Sequence, residues 1–172
     1  MSFIQHDMNT KVYAPGYFLA HEECVRETRE FAQNSALVQT TSENGKYVPM
    51  GTAYPTNDGS AIGITYEDVD VTTGNMPGSV VTKGVVYENR LAITNIAYDA
   101  VSPVGTENPS EEGWYERSGS AGSYVYTLTT DTTVDSEKTY YEKTVTRLAS
   151  AAKSALAALG FTFVNEPTVT RP

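Results

Sequence analysis

Residues 46–90 read KYVPMGTAYPTNDGSAIGITYEDVDVTTGNMPGSVVTKGVVYENR, a succession of short β-rich runs, each closed by its own turn signal. Pro49 and Gly51 interrupt the run 47–54. Proline is tolerated in a sheet mainly on an edge or at a bulge, which predicts an edge strand there. Asn57, Asp58 and Gly59 supply a turn, because Asn and Asp bond their own backbone and Gly accepts positive φ. The apolar run 61–66 follows, and 74–78 (GNMPG) turns again. Residues 79–87 carry Val80, Val81, Val85, Val86 and Tyr87, the β-branched and aromatic set that suits strands. A compact β core is the first expectation.

The flanks divide by pattern. Residues 1–20 have no sustained period, a Pro15-Gly16 break, and aromatics at Phe3, Tyr13, Tyr17 and Phe18. A flexible polar tail would lack those aromatics. The segment therefore reads either as an extended arm ordered by a neighbour or as a strand packed on the chain's own core. In 22–32, Cys24, Val25, Thr28, Phe31 and Ala32 fall at helical spacing, which predicts a short helix. Residues 36–41 read as a strand and 42–45 as a hairpin turn into the core. Residues 91–101 continue in β-like sequence, then 106–113 (TENPSEEG) turns polar and acidic, as a solvated connection does. From Trp114 to Lys143 alternation at Tyr124, Tyr126 and Leu128, and again at Thr139 and Tyr141, predicts two or three further strands. Residues 145–159 form the strongest helical pattern, with Leu148, Ala152, Ala155, Leu156 and Leu159 along one side and Gly160 as the C-terminal cap. Residues 161–164 read as a terminal strand, and the remainder as a tail.

Composition narrows the function classes. A chain of 172 residues is one domain, or one with a modest insertion. Its 12 Tyr against 5 Phe and 1 Trp favour surfaces that are half apolar and half wet. A net charge of −9 disfavours nucleic acid as a partner, because phosphate contacts need clustered Lys and Arg. The single cysteine, Cys24, rules out an intrachain disulfide framework and suits assembly in a reducing cytoplasm. It reads as a packed thiol, with no motif for reactivity around it. No stretch has the apolar length to span a bilayer and no secretory signal pattern opens the chain, so no membrane association is expected.

No motif for catalysis stands out. Glu67, Asp68 and Asp70 form the densest acidic cluster, but EDVDVTTG lacks the ligand number and glycine position of a calcium loop and reads as a solvated strand end. Asp131 and Asp135 read as turn formers first and ligands second. His6 and His21 sit in no zinc or nucleophile spacing, and 59–63 (GSAIG) lacks the Lys-Ser/Thr ending of a phosphate loop. The expectation is a protein with no catalytic residues, no cofactor and no metal.

The segments GTAYPTNDGSAIGITYEDVD and VVTKGVVYENRLA resemble the head-decoration proteins of tailed bacteriophages, the lambda type, in which a G-T-x segment leads to G-x-A-x-G-I and then a strand pair. The resemblance covers 42–97 and resumes near Leu148, where a helix, a glycine and a short apolar strand finish the core. Residues 114–143 resemble a short β module that recurs inside phage virion proteins. The resemblance implies a mainly β (α+β) fold: a small barrel-like or sandwich-like core (22–106 and 145–166) with one C-terminal helix. It adds an N-terminal arm (1–21), an inserted β-hairpin module (107–144) and a tail (167–172). It further implies a non-enzymatic virion protein, assembled in the host cytoplasm. Such a protein sits on the capsid exterior as a homotrimer and stabilises the shell against the major capsid protein.

In that family the arm reaches the capsid, so Phe3, Tyr13, Tyr17 and Phe18 are the implied contacts. Loss of residues 2–20 is then expected to leave the melting temperature nearly unchanged, and loss of 107–143 to leave a folded protein. The alternative is a β-rich tail or fibre module binding a host carbohydrate, with Trp114, Tyr115, Tyr124, Tyr126, Tyr140 and Tyr141 as its exposed surface. The same insertion also reads as a structural elaboration with no partner.

Overall fold

The structure, a computed structural model, describes residues 13–166 apart from 42–43, 103–108 and 110–112. Its regular elements among the described residues are mostly strands, with one α-helix, the mainly β class expected, and no barrel closes among them. The chain divides into two units, 1–94 with 147–172 and 95–146.

The first unit is built on an antiparallel sheet in the order β1 (Val25–Phe31), β7 (Met76–Lys83), β5 (Gly63–Thr65), β4 (Ala53–Tyr54). Adjacent residues on a strand face opposite ways, and the valines of β7 use both faces. Val81 joins a cluster with Phe18, Ile64, Val86, Leu91, Leu148, Leu156 and Phe161. Val80 joins Phe31, Val48, Val69 and Val71. On the Val80 side lies a second sheet, in the order β2 (Gln39–Thr40), β3 (Lys46–Val48), β6 (Val69–Asp70). On the Val81 side lie α1 (Ser150–Ala158) and the parallel pair β8 (Val85–Tyr87) and β13 (Thr162–Val164). Full burial of side chains such as Leu156 and Ile64 stabilises by about 1.5–3 kcal/mol each.

Four local expectations change. The helix expected over 22–32 is the strand β1, which pairs with β7 along its whole length. Seven ladder partners outweigh a weak helical spacing. The run 47–54 is not one edge strand: β3 is the middle strand of its sheet, and β4 is the edge of another. Gly51 makes the break. At φ +80° its backbone passes so close to Leu91 and Ala92 that a Cβ would lie 2.9 Å from the Ala92 nitrogen. The turn assigned to 74–78 ends earlier, because Met76, Pro77 and Gly78 already belong to β7. The helix expected over 145–159 spans Ser150–Ala158 alone, because Val145 and Thr146 complete a strand paired with Ile96 and Asn95. Leu148 and Leu156 are still buried, whereas Leu159 is 48% exposed.

The predicted cap at Gly160 is present. Its N–H reaches the Ala157 carbonyl (3.1 Å) and the Phe161 N–H reaches that of Leu156 (3.1 Å), the paired bonds of a Schellman motif. Gly160 sits at φ +101°. The turn at Asn57 does more than turn. Asp58 Oδ1 accepts from the Ser60 N–H (2.7 Å), which holds its carboxyl below the usual range, with the Thr56 hydroxyl contributing next. Asn57 itself accepts from Ala149 N–H (2.9 Å) and donates to Thr94 Oγ1 and the Arg147 carbonyl, both at 3.2 Å.

The implied N-terminal arm is corrected over its described part. Phe18 is 0% exposed within the first cluster. Its carbonyl accepts from Tyr87 N–H (2.8 Å), and Ala20 N–H donates to the Val85 carbonyl (2.9 Å). Of the two readings of this segment, packing on the chain's own core holds for residues 16–20. Removing residues 2–20 therefore removes a core side chain and cannot leave stability unchanged. Phe3 lies outside the described residues.

The second unit is a four-stranded antiparallel sheet in the order β11 (Val125–Leu128), β10 (Tyr115–Ser118), β12 (Tyr140–Thr146), β9 (Asn95–Val101). β9, expected in the core, is the strand that pairs along the whole of β12. The unit thus starts at residue 95 and not 107. A cut at 107–143 would remove residues 140–143 of β12 and strip residues 98–101 of β9 of their partners. Thr94 Oγ1 donates to the Arg147 carbonyl at 3.1 Å, so the two points where this unit leaves and re-enters the first are hydrogen-bonded neighbours.

Candidate interaction surfaces

In the first unit, two segments distant in sequence meet on one side chain. Arg90 sits in the 3-10 turn Glu88–Arg90 that follows β8. Its Nη1 donates to the Tyr17 carbonyl (3.0 Å), and its Nε and Nη2 form a fork on the Glu166 carboxylate, with the Nε bond at 2.9 Å. The guanidinium also lies over the rings of Tyr17 and Tyr87, 4.3 and 4.7 Å from their centroids. The bond from Arg90 holds the Glu166 carboxyl below its usual range and holds Arg90 more firmly protonated. Beside this clasp runs a groove of about 510 Å³, lined by Tyr13, Tyr17, Tyr47, Met50 and Ile93 among others. Tyr13 stacks on Tyr17 at 4.2 Å. Tyr13 and Ile93 are 46% and 40% exposed. Of the implied contacts, Tyr13 and Tyr17 therefore line one surface and Phe18 does not reach it.

In the second unit the six aromatic candidates divide between two faces. Strand register sets Tyr98, Tyr115, Tyr126 and Tyr141 on one side, since Tyr115 pairs with Tyr141 and Arg117 with Tyr126. Tyr98 on one edge strand stacks on Tyr126 on the other at 4.0 Å, over the middle pair. Tyr115 and Tyr141 meet these rings edge-on at 5.3 and 5.2 Å. Trp114 and Tyr140 pack together on the opposite side at 5.7 Å. Tyr140 is 0% exposed and Tyr141 6%, so neither is part of an exposed surface. The period-2 rule already carried that signal: Trp114-Tyr115 at the entry to β10 and Tyr140-Tyr141 in β12 are adjacent residues of extended chain and point opposite ways.

Beneath Tyr140 lies a polar network that sequence spacing alone did not indicate. The Tyr140 hydroxyl donates to Asp131 Oδ2 (2.7 Å) and accepts from the Asp135 N–H (3.0 Å). Lys138 Nζ bridges Asp131 (3.1 Å) and Glu116 (3.3 Å), and Thr129 Oγ1 donates to Glu116 (2.5 Å). Asp135 forms the expected turn by accepting from Glu137 N–H (2.9 Å), whereas Asp131 acts as an acceptor for the Tyr140 and Lys138 side chains. Burial, then the bond to Asp131, pushes the Tyr140 hydroxyl up; the Tyr140 and then the Lys138 bonds hold the Asp131 carboxyl down.

With its folded pKa below the free value of 3.8, Asp131 contributes in full above that value, and the contribution is lost as pH falls through the lower folded value. Trp114, the only tryptophan, reports on this unit. Its fluorescence in acid titrations is expected to show unfolding that steepens below the ordinary carboxylate range and is blunted in Asp131→Asn. An identical acid limb in that variant would place the sensitivity on another carboxylate.

Two acidic candidates, Asp68 and Asp70, are engaged in local structure. Asp68 Oδ1 accepts from Met50 N–H (2.7 Å) and Asp70 Oδ1 from Thr72 N–H (2.9 Å), so these carboxylates organise backbone in the first unit. Burial, then the charge of Asp68, pushes the nearby Tyr47 hydroxyl up. Among the described residues no group of three His, Cys, Asp or Glu is placed to hold a metal ion. His21 and Cys24 share the lining of a cleft of about 430 Å³ with Arg26 and Tyr66, and no hydrogen bond joins the two. His6 lies outside the described residues. Comparison with protein-family models, with curated proteins and with solved structures found no match to this chain. No helix among the described residues is long and apolar enough to cross a membrane.

Proposed function

We propose that this chain is a structural, non-enzymatic virion protein that decorates the exterior of a tailed-phage capsid. It binds the major capsid protein as a homotrimer and braces neighbouring capsomers. The resemblance over 42–97 suggests the class, and the Arg90 clasp is the observation that carries it. By holding Tyr17 and Glu166 on one side chain, Arg90 brings residues 13–17 and 166 together beside the groove that exposes Tyr13 and Ile93. An adhesive protein benefits from such a surface: half-wet aromatic rings supply contact area at low entropic cost. A trimer about a local three-fold axis would present three copies of it to the shell. The second unit, entering and leaving at hydrogen-bonded neighbours, is an elaboration that the attachment does not need.

Imaging of virions with and without the protein tests the reading. The expected result is trimeric density on the shell exterior. It is expected also with a variant in which 95–146 is replaced by a short Gly/Ser bridge between Thr94 and Arg147. Density inside the shell, or at the tail alone, overturns it.

A further inference from the structure

We propose that the outer edge of β1 pairs antiparallel with the same edge of a second copy of this chain, about a two-fold axis at Thr28. β1 is the end strand of its sheet, with β7 on one side and no strand of the described residues on the other. Its residues from Val25 to Glu30 are all exposed. Such an edge offers a row of backbone groups to any strand that fits it.

The contact with β7 fixes which groups face outward. Ser79 turns its carbonyl toward Tyr66, whose N–H donates to it at 2.9 Å, so the backbone of Ser79 faces away from β1. Pro77, two residues earlier, lies the same way round and has no N–H to give. Their partners Thr28 and Glu30 therefore point their own N–H and C=O groups outward, and Arg26 does so by alternation. The Glu30 carbonyl also accepts from the Tyr54 hydroxyl (2.9 Å), which leaves its second lone pair for a partner strand.

Charge selects the partner and the register. The stretch Arg26-Glu27-Thr28-Arg29-Glu30, laid antiparallel on itself with Thr28 on the axis, sets Arg26 opposite Glu30 and Glu27 opposite Arg29 in both halves. The same register brings the outward-facing 26, 28 and 30 opposite one another. A slip that keeps those hydrogen bonds puts Glu27 or Arg29 against its own copy, and a further slip does the same to Arg26 or Glu30. Like charges directly opposite oppose pairing. Charged edges ordinarily keep sheets apart, whereas this order repels its own copy in every such register but one. Within one chain Arg29 pairs with Glu27, Glu30 accepts from the Asn75 amide (3.2 Å) and Arg26 lies 4.4 Å over the Tyr66 ring, so the charges are held at the edge in this order. A three-fold axis cannot generate a two-fold contact, so this surface is additional to any trimer interface and needs no capsid.

Five paired residues span roughly 17 Å, a small interface beside the about 1,200–2,000 Å² of a stable complex. The net charge of −9 also drives copies apart, so the dimer is best trapped covalently. The experiment is mild oxidation of single-cysteine variants of the full chain in a Cys24→Ser background, which removes the one native thiol, with disulfide dimers read on non-reducing gels. Cα atoms of a hydrogen-bonded cross-strand pair lie about 5.5 Å apart, within disulfide reach. Thr28→Cys is expected to dimerise about tenfold or more faster than Arg26→Cys or Glu30→Cys alone, whose thiols sit four residues, roughly 13 Å, from their own copies. Mixing Arg26→Cys with Glu30→Cys is expected to restore the fast rate. Adding Arg29→Glu to Thr28→Cys should slow it about tenfold, and adding Glu27→Arg as well should recover it, because opposite charges again face each other. Thermal unfolding of the reduced variants, with midpoints matching the parent, shows that a lost rate is not lost folding. Equal rates for the three single-cysteine variants, a Thr28→Cys rate unmoved by Arg29→Glu, or a charge exchange that fails to recover it overturns the proposal.

Discussion

Phe18→Ala is expected to destabilise the first unit by about 3–5 kcal/mol, a large share of the roughly 5–15 kcal/mol that holds a typical domain folded. The ring is 0% exposed among Ile64, Val81, Val86, Leu91, Leu156 and Phe161, so its loss removes transfer free energy and leaves a cavity that a sheet and a helix cannot close together. The backbone beside it is also fixed, by Tyr87 N–H on the Phe18 carbonyl and by the bridge between Leu19 and Val86. Tyr13→Ala, at an exposed ring beyond those bonds, is the matched control and should change stability little. Urea unfolding of the two variants against the parent chain measures both. A loss below about 1 kcal/mol for Phe18→Ala would mean that the segment is not part of the folded core. The result also sets where a truncation separates attachment from stability: a cut before Tyr13 keeps the Arg90 clasp and Phe18, and a cut after Ala20 destroys both.

Gly63→Ala should be nearly as damaging, although it adds a single methyl group. A Cβ at this position would run into the Val81 carbonyl oxygen and Val80 Cγ1, both well inside the 3.0 Å that real Cβ atoms keep clear. The valine methyl can rotate, but the carbonyl belongs to the ladder between β5 and β7 and can move only if those strands separate. Overpacking typically costs about 1–3 kcal/mol, and contact with backbone in the central pair puts this substitution at or above the upper end. Gly59, in the same GSAIG segment, faces open space: a Cβ there would meet nothing within 4 Å, and Gly59→Ala is expected to be close to neutral. Thermal unfolding of the pair separates close approach from general glycine flexibility. Equal midpoints for both variants would show that β5 and β7 yield to the added methyl at no cost.

The class of the fold and several of its joints are written in local sequence. Turn chemistry at Asn57-Asp58-Gly59, the β-branched run around Val80 and Val81, and the Ala/Leu helix with its Gly160 cap are local preferences, and the folded chain keeps each of them. The candidate surfaces were legible only in part. Tyr13 and Tyr17 lie at a groove, while Phe18, Tyr140 and Tyr141 are core residues, because an aromatic ring satisfies the same local pattern in a core as at an interface.

Other features depend on partners far along the chain. Whether 25–31 became helix or strand depended on β7, some fifty residues away, offering a full set of backbone partners. The boundary at Asn95 depended on β12 for the same reason. Arg90 joining Tyr17 to Glu166 is a juxtaposition of residues with no fixed spacing along the chain. Local sequence sets which conformations a segment can adopt at low cost, and long-range hydrogen bonding and burial choose among them.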